Sequence, residues 1–137
     1  MSNNVEKSIM VCVTGQKTCD RLINRGIERS AGEIPIHIVH CVETGRNFLG
    51  SPYEADAIEY LFTAAQVAGA ELNLLRADDV DDALVGYAKE NGVSLIVMGA
   101  ASEHKRNSGD DITVRLQRRL PEVEFDIVEG SQTDYLP

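Results

Sequence analysis

Short apolar runs alternate with longer amphipathic stretches along the chain, and this alternation predicts the secondary structure. An apolar run bounded by turn residues is typical of a buried strand. The predicted strands are residues 9–13, 36–42, 72–75, 93–98 and 125–128. In the last run Asp126 interrupts the apolar residues, and this alternation indicates an edge strand.

The stretches between the strands carry apolar residues at helical spacing, with capping and stop residues at their ends. Helices are predicted over residues 18–31, 52–68, 79–90 and 112–120. Thr18 and either Asp78 or Asp79 are predicted N-caps, because their side-chain oxygens can accept hydrogen bonds from the free N–H groups of the first turn. Gly32 and Pro121 are residues that end helices. The positions expected to face the core from the first and last helices are Leu22, Ile23, Ile27, Ile112, Leu116 and Leu120.

Strands that alternate with helices predict an α/β fold, with a five-stranded parallel sheet, right-handed crossovers and helices on both faces. A length of 137 residues suits one domain. We expect residues 1–137 to form it, with an ordered core over about 8–129 and a mobile polar tail over 130–137. No apolar run approaches the ~20 residues that span a bilayer, and residues 1–7 lack a signal-peptide segment, so a cytosolic location is expected.

The charge of the chain bears on its partners. The formal net charge of −9 argues against nucleic acids and anionic membranes. Positive charge nevertheless clusters at Lys105 and Arg106, and again at Arg115, Arg118 and Arg119. These cations either select a small anion or lie on a solvated loop and an exposed helix face, and the sequence leaves both interpretations open.

Three cysteines and two of the histidines fall near predicted elements. Cys12 and Cys41 lie in apolar runs and are predicted to be buried, unreactive thiols. Cys19 falls at the start of a predicted helix, where the helix dipole can lower the pKa of a thiol, so a redox role for it stays open. His37 and His40 are predicted to point to opposite faces of the second strand, because side chains alternate along it. His40 is expected to be packed and hydrogen-bonded.

A cluster of aspartates coincides with the start of the third predicted helix, at Asp78, Asp79, Asp81 and Asp82. The EF-hand spacing and its terminal glutamate are absent. Acids at a helix start offset the positive end of the helix dipole, so we predict capping and not metal binding. The sequence also lacks a recognisable catalytic motif, and the chain is not expected to be an enzyme.

Several segments resemble the universal stress protein family in their order and spacing. They are residues 9–13, 39–42, 78–84 with Tyr87 and Ala88, and 96–99. The chain is similar to this family over nearly its whole length, and most similar to the universal-stress-type domain of KdpD-like sensor kinases. The resemblance implies a Rossmann-like sheet of strand order 3-2-1-4-5 and a ligand cleft between the first and fourth strands. It also implies a homodimer that pairs residues 125–128 across a two-fold axis.

The ATP-binding motif of the family is present only in part. ATP-binding members carry a glycine, two residues, a second glycine, nine residues and then Gly-Ser or Gly-Thr. Gly99 matches the first position, but Ser102 stands at the second glycine. Gly109 comes early and is followed by Asp110 and Asp111. Acids before a helix cap its free N–H groups and repel phosphate, so tight ATP binding of the family's usual kind is not expected.

These observations favour a non-catalytic, regulatory stress-response module with a weak or degenerate site for a nucleotide or small anion between strands 1 and 4. The candidate ligands are ATP, AMP or another adenine nucleotide, and no metal site is predicted. ATP-binding members also tend to carry an acid after the first strand, where this chain has Thr14 and its neighbours. The candidate contacts are Thr14, Gly15, Gln16, Cys41, Gly99, Ser102, Lys105, Arg106 and Gly109.

Alternatives stay open for the function. The chain is alternatively a ligand-free dimerising module that acts through a regulatory protein partner, or, less favoured, an ATP-binding protein with slow hydrolysis. Residues 62–64, Phe-Thr-Ala, partly match an element of cyclic di-AMP-sensing domains but lack its final tyrosine. On an amphipathic helix, Phe62 is more simply expected to lie in the core.

Overall fold

The computed structural model describes residues 7–13, 19–45, 54–99 and 112–128. Strands and helices alternate through these ranges, as the apolar pattern predicts. The elements are β1 (Ser8–Cys12), α1 (Cys19–Ser30), β2 (Ile36–Glu43), α2 (Glu54–Ala68), β3 (Glu71–Ala77), α3 (Val80–Glu90), β4 (Val93–Gly99), α4 (Ile112–Arg119) and β5 (Glu124–Val128). No helix in the described ranges is long and apolar enough to cross a bilayer.

The strands form one parallel sheet in the order β3-β2-β1-β4-β5, which confirms the predicted topology. β1 is central, and its Cys12 is level with Val39 of β2 and Met98 of β4. The chain builds outward from β1 to β2 and β3 on one side, and then continues on the other side with β4 and β5. The strand order therefore reverses between β1 and β4, which is where open α/β sheets bind ligands.

Two apolar layers cover the faces of the sheet. Val11 and Val97 belong to the layer beneath α1 and α2, and Met10 and Ile96 to the layer beneath α3 and α4. Because successive side chains point to opposite faces, both central strands contribute to both layers. This double burial explains why β1 and β4 are continuous apolar runs in the sequence.

α1 lies close against β1 because Gly26 has no side chain. A Cβ atom at Gly26 would lie only 2.7 Å from Cγ2 of Val11. The side of α1 that faces β1 is buried and includes Leu22 and Ile23, as predicted. Ile27 was expected in the same stripe, and this prediction is wrong. Its side chain is 40% exposed, because it follows Gly26 by about 100° around the helix and turns toward α2.

The predicted position of Phe62 in the core is also wrong. Its side chain is 54% exposed. The residues of α2 that pack against the sheet include Leu61 and Ala65, which are buried. Phe62 follows Leu61 by about 100° around the helix and so leaves the sheet-facing side. α2 therefore carries apolar side chains on its outer surface as well.

The described ends of α1 and α3 agree with their predicted signals, whereas the predicted N-cap Thr18 and the predicted helix start at residue 52 lie outside the described residues. Asp79 is the N-cap of α3, and its carboxylate accepts a hydrogen bond of 3.1 Å from the backbone N–H of Asp82. α1 ends at Ser30, whose hydroxyl donates to the carbonyl oxygen of Ile34 at 2.7 Å. β3 is longer than the predicted residues 72–75, because its pairing with β2 continues through its polar ends.

Candidate functional site

The strand register brings three residues to the carboxyl edge of the sheet around the switch point. Val13 directly follows β1, and its N–H donates to the carbonyl oxygen of Val39 at 3.0 Å. Gly99 follows Met98, the partner of Cys12, and is thus level with Val13. Cys41 lies two residues beyond Val39 on β2. Of the predicted site residues, the structure therefore places Cys41 and Gly99 at one edge, on either side of the end of β1.

The other predicted contacts lie outside the described residues, and they stay predictions. They are Thr14, Gly15, Gln16, Ser102, Lys105, Arg106 and Gly109. The same holds for Asp110 and Asp111, for the tail over residues 130–137 and for the side chain of Cys19.

Gly99 ends β4 without a side chain. A Cβ atom added at Gly99 would meet no heavy atom within 4 Å among the described residues. The open space contrasts with Gly26, where the missing side chain is needed for helix packing. A glycine at the end of a strand allows a ligand to approach the backbone closely. Among the described residues, no side chain therefore covers the backbone where β4 ends beside β1.

His40 supports the end of β1 from within the core. Its side chain is 2% exposed, and Nδ1 donates to the carbonyl oxygen of Val13 at 2.6 Å. Burial lowers the pKa of His40, and the bond to the Val13 carbonyl opposes this shift. The expected packed, hydrogen-bonded histidine is confirmed. The ring therefore fixes the last described residue before the predicted contacts 14–16.

His37 lies on the opposite face of β2, as the alternation of side chains predicts. Its Nδ1 is 3.0 Å from the Tyr87 hydroxyl of α3 and 3.6 Å from a carboxylate oxygen of Glu71 on β3. The two rings meet edge to face with their centroids 5.7 Å apart. Burial, with the nearby Glu71 carboxylate, raises the pKa of Tyr87 to about 12. This group packs α3 on β2 and β3, away from the switch point.

The thiols near the edge are protonated at neutral pH. Burial, with a contribution from Cys41, raises the pKa of Cys12 to about 12. Burial also raises the pKa of Cys41, although this residue is only partly buried and not fully buried as expected. A thiol is a poor nucleophile compared with its thiolate, so both groups contribute shape and not reactivity.

Two arginines of the predicted basic cluster have a structural role that the sequence did not indicate. Arg115 of α4 donates from Nε to Asp81 of α3 at 2.7 Å and from Nη2 at 3.3 Å. Arg119 donates to Asp82 at 2.7 Å. These pairs join α3 to α4, so the two arginines are occupied by protein carboxylates. The available signal was the set of acids at the start of one helix and arginines at helical spacing in the next.

The described part of the site offers backbone groups and little titratable chemistry. Val13 follows β1, Gly99 ends β4, Cys41 lies two residues before the end of β2, and the donating ring of His40 holds the Val13 carbonyl. Within the described ranges, no group of three His, Cys, Asp or Glu side chains could hold a metal ion. This arrangement suits the recognition of a ligand by shape and by backbone hydrogen bonds.

Residues 6–109 match the sequence profile of the universal stress protein family. The chain belongs to the universal stress protein family. No curated protein matches the sequence. Family membership agrees with the resemblance carried by the apolar strands and by the segment after Asp78.

Solved structures of universal stress proteins share the fold. One in complex with cAMP is 16% identical, and the alignment covers 90% of this chain and 96% of that one, with a TM-score of 0.65. One from Archaeoglobus fulgidus in complex with dAMP is 16% identical over 91% of this chain and 98% of that one, with a TM-score of 0.58. One from Arabidopsis thaliana with AMP bound is 13% identical over 95% of each chain, with a TM-score of 0.57. At these identities the likeness establishes the fold alone.

Proposed function

We propose that this universal stress protein is a non-catalytic regulator of a stress response that binds an adenine nucleotide, or another small anion, weakly between β1 and β4. The position of Gly99 beside the end of β1 carries the proposal, because it lies at the switch point of the sheet and no described residue covers it. The cAMP, dAMP and AMP in three structures of the same fold support an adenine nucleotide as the ligand.

The charges near α4 favour weak binding of a triphosphate. Asp110 and Asp111 directly precede Ile112, the first residue of α4. Negative side chains at a helix start repel an anionic ligand from the free N–H groups there. Lys105 and Arg106 stay the proposed phosphate contacts, since Arg115 and Arg119 already pair with acids of α3.

The protonation states of the described residues support a binding function without catalysis. Both thiols at the edge have raised pKa values. His40, the buried imidazole nearest the end of β1, is 2% exposed, and its Nδ1 donates to the Val13 carbonyl. A general base must lie within reach of the reacting proton, and this buried ring is enclosed by the core. We therefore expect no release of phosphate from ATP in the presence of magnesium, and measurable turnover would contradict the non-catalytic part of the proposal.

Thermal unfolding with added nucleotide tests the proposed site. AMP, cAMP and ATP at millimolar concentration should each raise the Tm, because a ligand that binds only the folded state stabilises it. Gly99→Val places a side chain at the end of β4 and should abolish the rise. Gly86→Val is the matched control, since Gly86 lies in α3 and a Cβ there also meets open space within the described part of the chain.

Two results would contradict the proposed site. One is a Tm that no nucleotide changes, and the other is a full nucleotide response in Gly99→Val. A parallel titration with inorganic phosphate separates the ligand classes: a response equal to that of AMP identifies a small-anion site, and a response to AMP alone identifies a nucleotide site.

The role of the two acids can be tested separately. Asp110→Asn combined with Asp111→Asn removes two negative charges next to α4 while keeping the size of the side chains. This double variant should bind ATP several-fold more tightly than the wild type, with a smaller gain for AMP, which carries fewer negative charges. Calorimetric titration measures both affinities, and unchanged ATP binding would show that the acids do not weaken the site.

A homodimer through β5 is a second proposal. β5 lies at the edge of the sheet, and its Phe125 and Ile127 are only partly buried. An edge strand with an unpaired backbone side can pair with a second copy across a two-fold axis. Light scattering should give the mass of a dimer. Ile127→Lys should give a monomer, whereas Val114→Lys, an exposed control on α4, should not. A monomeric wild type would contradict this proposal.

The closer likeness to KdpD-like sensor kinases, a regulatory protein partner and the cytosolic location stay predictions of the sequence.

A further inference from the structure

The outer surface of the helix layer has an apolar groove between α1 and α2. Its volume is about 340 Å³, and its residues include Ile23 and Ala64 at the bottom and Ile27 and Val67 at the rims. Val67 is 84% exposed, and Ile27, which also lines the groove, is 40% exposed. Exposed apolar side chains that lie together, unlike scattered ones, often mark an interaction site. The groove lies on the side of the helices away from the sheet, and it shares no lining residue with the switch-point edge.

One end of this groove is acidic. Asp20 of α1 lines it and accepts a hydrogen bond from the Tyr60 hydroxyl of α2 at 2.5 Å. Asp56 precedes Tyr60 by four residues and therefore continues the same stripe of α2, on which Val67 also lies. Asp20 thus lies in the groove at the end where both helices begin, and Asp56 lies beyond the groove lining on the same side of α2. Apolar side chains lie at the other end of the groove.

The charges of the two helices reinforce this polarity. α2 contains three acids and neither lysine nor arginine. The three arginines of α1, Arg21, Arg25 and Arg29, are spaced four residues apart on one stripe of the helix, and none of them lines the groove. Arg25 and Arg29 pair with Asp126 of β5. The surface beside the groove therefore favours a cationic partner over an anionic one.

We propose that the α1–α2 groove docks a basic amphipathic helix of a partner protein. The apolar stripe of that helix covers Ile27 and Val67, and its lysine or arginine side chains meet Asp20 and Asp56. Two adjacent helices present ridges and grooves into which a third helix packs, with anchors at helical spacing. A second copy of this chain is a poorer occupant, because its net charge of −9 opposes the acidic end.

A designed peptide tests the docking site on the full chain. The probe is a helical peptide of leucine and lysine, compared with a leucine and glutamate peptide that has the same leucine positions. The lysine peptide should bind and shift the backbone amide resonances of Ile27, Tyr60 and Val67. The glutamate peptide should not bind. Asp20→Asn combined with Asp56→Asn should weaken the binding of the lysine peptide and reduce its dependence on salt.

A matched pair of variants distinguishes binding in the groove from nonspecific hydrophobic binding. Val67→Ser should lower the affinity for the lysine peptide by about fivefold or more, as expected when an interface anchor is removed. Phe62→Ser removes another exposed apolar side chain of α2 that does not line the groove, and it should leave the affinity unchanged. Both residues are exposed, so both variants should fold.

Three results would overturn the proposal. They are equal binding of the two peptides, resonance shifts located away from α1 and α2, and equal effects of the two serine variants. Sedimentation of the chain alone tests for a fourth such result, occupation of the groove by a second copy of this chain. Self-association that Val67→Ser removes and Phe62→Ser leaves intact would assign the groove to a second copy of this chain.

Discussion

His40 is the residue that links the core most directly to the candidate site. It is a buried polar side chain among the apolar residues of β2, and its ring bonds to the carbonyl oxygen of Val13 at 2.6 Å. The bond satisfies one ring nitrogen inside the protein, while burial disfavours the charged form of the ring. The neutral ring is therefore part of the folded structure at the end of β1.

This burial makes the stability depend on pH. The pKa of His40 is lowered in the folded state, so below the ordinary histidine value of 6.5 the unfolded chain binds the proton more readily. The contribution of neutral His40 is complete above that value, and it is lost as the pH falls toward the folded-state pKa. Urea unfolding across pH 7.5 to 5 should show this loss.

His40→Gln keeps an amide donor for the Val13 carbonyl but cannot titrate. The variant should lose less stability than the wild type over the same pH interval, whatever its stability at pH 7.5. Identical pH slopes for the two proteins would show that His40 does not carry the effect.

At the residue scale, the sequence predicted burial better than orientation. Cys12 and His40 lie in apolar runs, where almost every residue of a central strand is buried, so their positions followed from the pattern. Ile27 and Phe62 lie on helices, where a rotation of about 100° separates neighbours. Their outward orientation depends on how each helix is set against the sheet, which no local pattern specifies.

At the element scale, Gly26 sets the position of α1. An added methyl group would lie 2.7 Å from Cγ2 of Val11, a buried β-branched side chain that has little freedom to move. Gly26→Ala should therefore lower the free energy of unfolding by ~1–2 kcal/mol, because overpacking outweighs the gain in helix propensity.

Gly86→Ala is the matched control for Gly26→Ala. It lies in α3, and an added Cβ meets open space within the described residues. This variant should raise the free energy of unfolding by ~0.5–1 kcal/mol. Urea unfolding measures both, and a stabilised Gly26→Ala would mean that α1 does not depend on the close contact with β1.

The edge strand β5 is held by charge on the face that it shares with α1. Arg25 and Arg29 donate to the two carboxylate oxygens of Asp126 at 2.7 and 2.8 Å, and Arg29 also donates to Glu124 at 2.6 Å. The side chain of Asp126 is 12% exposed, whereas that of Glu124 is 62% exposed. The largely buried carboxylate of Asp126 therefore contributes more to stability than the exposed one of Glu124.

Asp126→Asn should lower the free energy of unfolding by ~1–3 kcal/mol, because it removes the charge that two arginines share. Glu124→Gln should lower the free energy of unfolding by less than ~1 kcal/mol, because water screens the Glu124 carboxylate. Chemical denaturation compares the two variants directly. A larger effect for Glu124→Gln would contradict the assignment of Asp126 as the main anchor of β5.

Elements were predictable where burial or capping chemistry marks them. Asp79 capped α3 as expected, since a carboxylate before an apolar helix is a strong start signal. β3 extended past its apolar residues, because edge pairing with β2 tolerates polar side chains at both ends. The arginine contacts to Asp126 join residues about a hundred positions apart, and no local signal indicates such a pair.

At the scale of the whole molecule, the topology of the sheet determines where the candidate site lies. The strand order places the ends of β1 and β4 side by side, so that Val13 and Gly99 meet although they are distant in sequence. This order was predictable from the resemblance to a family, because apolar runs alone do not rank strands within a sheet. The predicted contacts at residues 14–16, 102, 105, 106 and 109 lie outside the described residues, so they stay predictions.

The most direct test of the account is an AMP titration of the 15N-labelled protein, followed by backbone amide resonances. The account predicts that the largest shifts fall on Val13, Cys41 and Gly99, at the edge where β1 and β4 part. Shifts that are absent at millimolar AMP, or that fall mainly on residues remote from this edge, would contradict it.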